Sequence, residues 1–247
     1  DELAYQCNKI LNTEYSEKMD ELYSLGGTSG GARPKILTEI DGEDWIIKFP
    51  TYVDERDAGM IEYQYLICAG KCGINMPQTR LFHSDKCQGY FGVKRFDRKK
   101  ENNETKKIHM LTAAALLEIY FNQPCMDYND LMKLTKILTN NNWDDIDNMY
   151  RRMCFNVYAH NRNDHAKNFT YIYDEENETW RLSPAYDLTY SNTYYGEHTT
   201  TVAGNGRNPG IKELTEVGVN AGLKKQYCEE VAGEIRGLVE DMLNNYI

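Results

Sequence analysis

Apolar residues at Leu3, Cys7, Ile10, Leu11, Met19 and Leu22 recur close to the helical period, and this spacing predicts a helix from Glu2 to about Tyr23. The pattern breaks in Leu25-Gly26-Gly27-Thr28-Ser29-Gly30-Gly31-Ala32-Arg33-Pro34. Two apolar runs follow, Lys35–Ile40 and Asp44–Pro50, which read as strands joined by the turn Asp41-Gly42. Helical spacing resumes over Ala58–Gly70, and a second strand pair, Thr79–His83 and Gly89–Phe96, flanks Ser84-Asp85-Lys86. From Asp97-Arg98-Lys99-Lys100 to Lys107 the chain turns sharply charged. That shift marks a boundary between an N-terminal lobe, residues 1–97, and a mostly helical lobe, residues 98–247.

Within the second lobe, helical periods cover Met110–Tyr120, Tyr128–Leu138, Asp145–His160 and Glu213–Tyr246. Phe169–Tyr173 and Thr179–Ser183 read as two strands around the polar turn Asp174–Glu178. Glycine and asparagine crowd Gly196–Gly210, a composition expected of a mobile surface loop. No internal repeat is present.

Composition narrows the classes. The 247 residues suffice for one large domain or two lobes with a real core, and 41% hydrophobic and 27% charged residues are ordinary for a soluble globular protein. A formal net charge of −10 argues against a surface built for direct nucleic-acid binding, which depends on clustered Lys and Arg. The seven cysteines are odd in number and scattered, which fits a reducing cytoplasm. Cys68 and Cys72, one helical turn apart, read as buried thiols rather than metal ligands. No apolar run reaches the length of a membrane span, and the acidic start does not read as a signal peptide.

The candidate chemistry centres on Asn161-Arg162-Asn163-Asp164-His165-Ala166-Lys167-Asn168, followed by Ala185-Tyr186-Asp187-Leu188. In the catalytic loop of protein kinases a base carboxylate precedes a metal-binding Asn with four residues between them. By that spacing Asn163 stands at the base position and Asn168 at the metal position, with Asp187 as second metal ligand. Phosphoryl transfer needs two such hard oxygen ligands for magnesium and a group that orients the acceptor hydroxyl. Taken alone, an Asn- and Asp-rich run is an ordinary turn. The strand pair between Asn168 and Asp187 changes that reading, because a hairpin would return both residues to one place.

Upstream, four glycines around Thr28 and Ser29 free the backbone to approach phosphates, although a flexible linker has similar composition. Lys48 interrupts an apolar strand after that loop, as does the lysine with which a kinase holds nucleotide phosphates. Its carboxylate partner would be Glu62, on the helix Ala58–Gly70.

These pieces resemble the HipA-like Ser/Thr kinases, toxins of bacterial toxin–antitoxin modules. The resemblance rests on Gly31-Ala32-Arg33-Pro34-Lys35, Ile46-Ile47-Lys48-Phe49-Pro50, Val93-Lys94-Arg95-Phe96-Asp97-Arg98, Asp164-His165-Ala166-Lys167-Asn168-Phe169 and Leu182-Ser183-Pro184-Ala185-Tyr186-Asp187-Leu188, in that order. It implies an α+β, two-lobed protein-kinase-like fold, with a small antiparallel-sheet lobe, a mostly helical second lobe and ATP between them. It also implies that ATP binds through Thr28, Ser29, Gly30, Gly31, Lys35, Lys48 and Glu62, with Lys94, Arg95 and Phe96 as the hinge under the adenine. Asn168 and Asp187 would hold Mg2+, and Asn163, His165 and Lys167 would form the catalytic set. In the family a glycine-loop serine, here nearest Thr28 and Ser29, becomes autophosphorylated and switches the enzyme off. The family's targets include aminoacyl-tRNA synthetases, and its members are commonly bound by a DNA-binding antitoxin. The chain resembles the compact, shorter toxins of the group.

Asn163 is the main departure, since the family has Asp there. An amide cannot accept the substrate proton, so transfer should fall severely while the ATP and magnesium ligands stay in place. Asn163 is then either native to a nucleotide-binding pseudokinase acting as an interaction module or a replacement that silences a toxic enzyme. A small-molecule phosphotransferase of the aminoglycoside or choline kinase sort shares the same loop logic.

Overall fold

The structure, a computed structural model, describes residues 1–11, 25, 33–51, 57–101, 104–120, 126–192 and 194–247. Thr28, Ser29, Gly30, Gly31 and Cys125 lie outside the described residues, as does the expected continuation of the first helix to Tyr23. By contacts the chain divides into two compact units. One is Asp1–Gln64 with Pro77–Lys106, and the other is Tyr65–Met76 with Lys107–Ile247. The charged run that marks a boundary after Asp97 thus belongs largely with the first unit.

The first unit opens with helix α1 (Glu2–Leu11). Strands β1 (Lys35–Ile40) and β2 (Glu43–Lys48) pair antiparallel through Asp41 and Gly42, both left-handed at φ 54° and 77°, a geometry that suits the right-handed twist of a hairpin. Helix α2 (Ala58–Lys71) leads to β3 (Thr79–Phe82) and β4 (Tyr90–Lys94), and the sheet order is β1-β2-β4-β3. Ala4, Ile36, Ile47, Phe49 and Tyr90 form the core of one face, with the Phe49 and Tyr90 rings edge to face at 5.0 Å. β5 (Arg98–Glu101) and β6 (Glu104–Lys107) form an outlying charged two-stranded hairpin.

Beyond Tyr65–Met76, the second unit continues with β7 (Met110–Thr112) and the short helix α3 (Ala113–Leu116), where helical spacing predicts one helix over Met110–Tyr120. β7 is recruited as a strand because it pairs in register with the later hairpin, Leu111 opposite Tyr171, and three-residue strands exist only by such pairing. β8 (Met126–Asp127) precedes helix α4 (Tyr128–Leu138), whose start is fixed by an Asp127/Asp130 capping box. Helix α5 (Trp143–Tyr158) is capped by Asn142 and buries Ile146, Met149, Tyr150, Met153, Cys154, Phe155 and Val157. β9 (Thr170–Asp174) and β10 (Thr179–Leu182) form the expected hairpin, giving a sheet of order β10-β9-β7. β11 (Thr200–Thr201) pairs parallel with β8.

Two further expectations fail in this unit. The helical period over Glu213–Tyr246 holds two helices, α6 (Ile211–Asn220) and α7 (Lys225–Leu243), because Gly222 turns the chain at φ 98°. The Gly- and Asn-rich stretch is not merely a surface loop, since His198, Thr200 and Val202 are buried within it. No helix of the described residues is long and apolar enough to cross a membrane.

Close backbone approach is required at Gly59, where an added Cβ would stand 2.3 Å from the Gly89 carbonyl oxygen and 3.2 Å from the Phe91 nitrogen. Neither atom can rotate away. Gly59→Ala is therefore expected to destabilise the protein by about 1–3 kcal/mol, as overpacking does. Urea denaturation measures it, and a midpoint equal to that of the parent would contradict this contact.

Candidate active site

The first unit supplies a buried ion pair. Lys48 ends β2 opposite Lys35 on β1 and Phe91 on β4. Its Nζ lies 2.5 Å from Glu62 Oε1, and the Glu62 side chain is only 3% exposed. Arg33 Nη1 stands 3.4 Å from the other carboxylate oxygen, and the Phe91 ring lies 5.7 Å from the lysine nitrogen. Such a pair is a modest source of stability, because desolvation offsets the attraction, yet it fixes where the ammonium sits.

The expected hinge residues are tied down individually. Lys94 Nζ bonds Glu43 at 2.8 Å, and its backbone N–H donates to the Gln78 carbonyl. Arg95 forms a two-pronged contact to Asp97 at 2.9 and 2.7 Å, which Arg98 joins. Burial alone would raise the Asp97 carboxyl, but the Arg95 fork and Arg98 outweigh it and hold the group below the usual carboxylate range. Phe96 follows, half-buried.

The second unit supplies the run Asn161–Asn168. Helix α5 ends where the Ala159 and Asn161 N–H groups donate to the Phe155 and Asn156 carbonyls, and His160 is left-handed at φ 51°. Tyr65 O–H donates to the Ala159 carbonyl at 2.9 Å. Asn163 is exposed, whereas its neighbour Asp164 is 1% exposed. Asp164 accepts from Tyr128 O–H at 2.9 Å, from His198 Nδ1 at 2.9 Å, and from the N–H groups of Thr199 and Thr200 at 2.9 and 3.1 Å. Asp164 is therefore committed to the fold.

Asn168 closes a 3₁₀ turn, Ala166–Asn168, by donating its N–H to the His165 carbonyl. Its Nδ2 donates to the Asn163 carbonyl at 2.8 Å, so Oδ1 is the arm it can offer a cation. His165 is half-buried, and Lys167 is exposed.

The hairpin returns the chain as its strands predict. Ser183 N–H donates to the Thr170 carbonyl, and Tyr186 O–H donates to the Lys167 carbonyl at 2.6 Å and contacts Thr170 Oγ1 at 2.5 Å. Tyr186 thus anchors the residue before Asp187 to both sides of Asn168. Asp187 is left-handed at φ 57°, a conformation that costs a non-glycine residue about 1 kcal/mol or more and that clusters at functional sites. Asn168 and Asp187 are hard oxygen donors of the kind magnesium takes alongside phosphate oxygens. Among the described residues no group of three or more His, Cys, Asp or Glu could hold a metal by itself.

Several residues here escape sequence reasoning. Tyr128, His198, Thr199 and Thr200 meet at Asp164 from two distant stretches. Arg152 is fully buried, donating to the Ser183 carbonyl and, at 3.1 Å, to Asn148 Oδ1, and burial pushes it down to about 10. An arginine interrupting the apolar run of α5 was the one available signal.

Residues 27–243 match the family described as the HipA-like C-terminal domain. The chain belongs to that family. A curated relative from Sinorhizobium fredii, named "Putative kinase Y4dM", is 26% identical over 182 residues, which are 68% of this chain and 42% of the relative. The HipA-like chain therefore spans less than half the length of that relative. Among solved structures, it resembles Shewanella oneidensis HipA, described in complex with HipB and operator DNA, at TM-score 0.68 and 16% identity, covering 88% of this chain and 58% of the other. It also resembles the Helicobacter pylori proinflammatory kinase CtkA at TM-score 0.54 and 11% identity, covering 89% and 92%. At these identities the two structures show that the HipA-like chain shares their α+β fold.

Two loop histidines set a pH dependence. Burial lowers His160, with Arg162 and His198 adding to it, and burial lowers His165 more than Asp187 restores it. A histidine lowered below its ordinary 6.5 in the fold takes its proton more readily when unfolded. Stability is full above that value and is lost as pH falls through it. The urea midpoint should fall between about pH 7.5 and pH 5.5, and a His160→Gln/His165→Gln variant should flatten the slope. An equal slope in both proteins would refute this.

Proposed function

We propose that this HipA-like domain is a Ser/Thr protein kinase that transfers the ATP γ-phosphate to a protein hydroxyl, with Asn163 holding its own turnover low. The observation that carries this reading is the buried Lys48–Glu62 ion pair, in one chain with an Asn168 whose side chain is aimed by its own loop. Lys48 contacts the nucleotide phosphates, and Glu62 fixes its ammonium. Asn168 Oδ1 and the Asp187 carboxylate hold magnesium, which when bound neutralises charge on the transferred phosphoryl group. Lys94 to Phe96 border the adenine, and the glycine-rich run with Thr28 and Ser29 covers the phosphates. A partner of the HipB kind, a DNA-binding antitoxin, fits a domain that resembles HipA in fold.

Asn163 orients an acceptor hydroxyl but cannot take its proton. Asn168 is tethered to the Asn163 carbonyl and not to its side chain, so Asn163→Asp changes the chemistry and leaves the loop's geometry alone. That variant, given ATP and magnesium, is expected to raise phosphoryl transfer by about 10²–10⁴-fold, the range of a general base. Intact mass and fragment mapping should then find phosphate on Thr28 or Ser29, with weaker ATP binding, because the added negative charge sits where nucleotide phosphates must lie. No phosphate on any protein would sink the kinase reading. Native Asn163 together with magnesium-dependent nucleotide binding would leave the pseudokinase reading.

Lys48→Ala should weaken nucleotide affinity at least tenfold. Because Arg33 remains beside Glu62, folding should suffer less than binding. Asn168→Ala and Asp187→Ala should weaken nucleotide binding with magnesium present and change it little with the metal chelated. Calorimetry with and without chelator reads all three. Unchanged affinity in Lys48→Ala, or a metal-independent loss in the other two, would contradict these roles.

A further inference from the structure

Residues 191–192 and 198–201, which follow Asp187 in the chain, border the loop 160–164. Ser191 N–H donates to the His160 carbonyl at 3.1 Å, and Arg162 Nη1 donates to Asn192 Oδ1 at 3.0 Å. Thr199 Oγ1 donates to the Arg162 carbonyl at 3.0 Å and Thr200 Oγ1 to the Asp164 carbonyl at 2.5 Å. The far end of the segment is held as well. Thr201 Oγ1 and Gly204 N–H donate to Asp127 Oδ2 at 2.6 and 2.8 Å, and Asp127 also caps α4.

At the centre is the His198–Asp164 contact, with side chains 3% and 0% exposed. Asp164 Oδ1 accepts the Thr199 and Thr200 N–H groups, while Oδ2 takes Tyr128 O–H and His198 Nδ1. A carboxylate only accepts, so Nδ1 carries the proton in this contact. Asn156 Nδ2 donates to Tyr128 Oη, and Asn161 Nδ2 donates to Asn156 Oδ1, which links the start of the loop to the same cluster.

We propose that His198 and Asp164 are a positioning pair that aims Asn168, acting through the single peptide unit between Asn163 and Asp164. The Asn163 carbonyl that receives Asn168 Nδ2 belongs to that peptide. A peptide is planar, so fixing Asp164 on one side fixes the direction of the carbonyl on the other. The Asn163 side chain is left exposed beside the buried Asp164. The segment after Asp187 therefore sets the geometry of the loop before it, and with it the direction of Asn168. The proposal rests on the kinase reading only for the role of Asn168, and the positioning itself is testable without any ligand.

The test compares the parent with His198→Asn and His198→Gln. The Asn amide nitrogen occupies the place of Nδ1 and can donate to Asp164, whereas the Gln nitrogen falls near the place of Nε2 and cannot. Hydrogen exchange in ligand-free protein should rise at least tenfold over residues 162–168 in His198→Gln, stay near the parent in His198→Asn, and leave α7 unchanged in both. Calorimetry with ATP should show His198→Gln losing the magnesium-dependent gain in affinity while keeping its magnesium-free affinity, with His198→Asn restoring the gain. Parent-like exchange in His198→Gln, or a loss of affinity equal with and without magnesium, would overturn the proposal. A parent that binds no nucleotide would instead refute the kinase reading, and the exchange result would still decide whether the pair holds the loop.

Discussion

The burial of one carboxylate, Asp164, is the constraint on which the second unit's site depends. Taking an ionised group out of water is tolerable only when its acceptor positions are filled, and here donors arrive from α4, from the loop after Asp187 and from two backbone N–H groups. Each donor brings its own element with it. Satisfying a single side chain thus ties together the start of α4, the loop around Asp164 and the strand β11.

The same rule governs the other charges in the structure. Glu62 is buried because Lys48 and Arg33 reach it, and that requirement holds the lysine ammonium in place. Arg152 is buried against the Ser183 carbonyl and Asn148, and burial lowers it to about 10. Ser183 begins the stretch that leads to Asp187, so a costly buried cation supports the approach to a left-handed residue that itself carries strain. Stability is exchanged for position at both places, as expected where preorganised geometry serves chemistry.

The chain belongs to the HipA-like family, and at identities of 16% and 11% the structures it resembles share its fold. In this chain the supports are local: a strand lysine paired to a helix glutamate, an Asn at the end of a 3₁₀ turn, and a hairpin that follows it. These arrangements need a handful of residues each and tolerate wide change elsewhere. The exposed Asn163 side chain takes no part in those supports, to which the residue contributes only the backbone carbonyl that receives Asn168 Nδ2.

The sequence by itself determined the parts whose causes are local. Asp41-Gly42 demands left-handed backbone and sets the first hairpin, Asp127 and Asp130 define the start of α4, and the strand pair around Asp174–Glu178 is legible from its pattern. Only the tertiary structure decided the rest, because the deciding partners lie far along the chain. Met110–Thr112 is a strand since β9 offers it an edge, and residues 198–202 are ordered since Asp164 needs donors. A break at Gly222 is invisible in a hydrophobic period that continues on both sides of it. Asn163 and Asp164 are neighbours of nearly equal shape and polarity, and nothing local distinguishes the one that faces solvent from the one the core consumes. Burial decides between them, and burial is a property of the assembled fold.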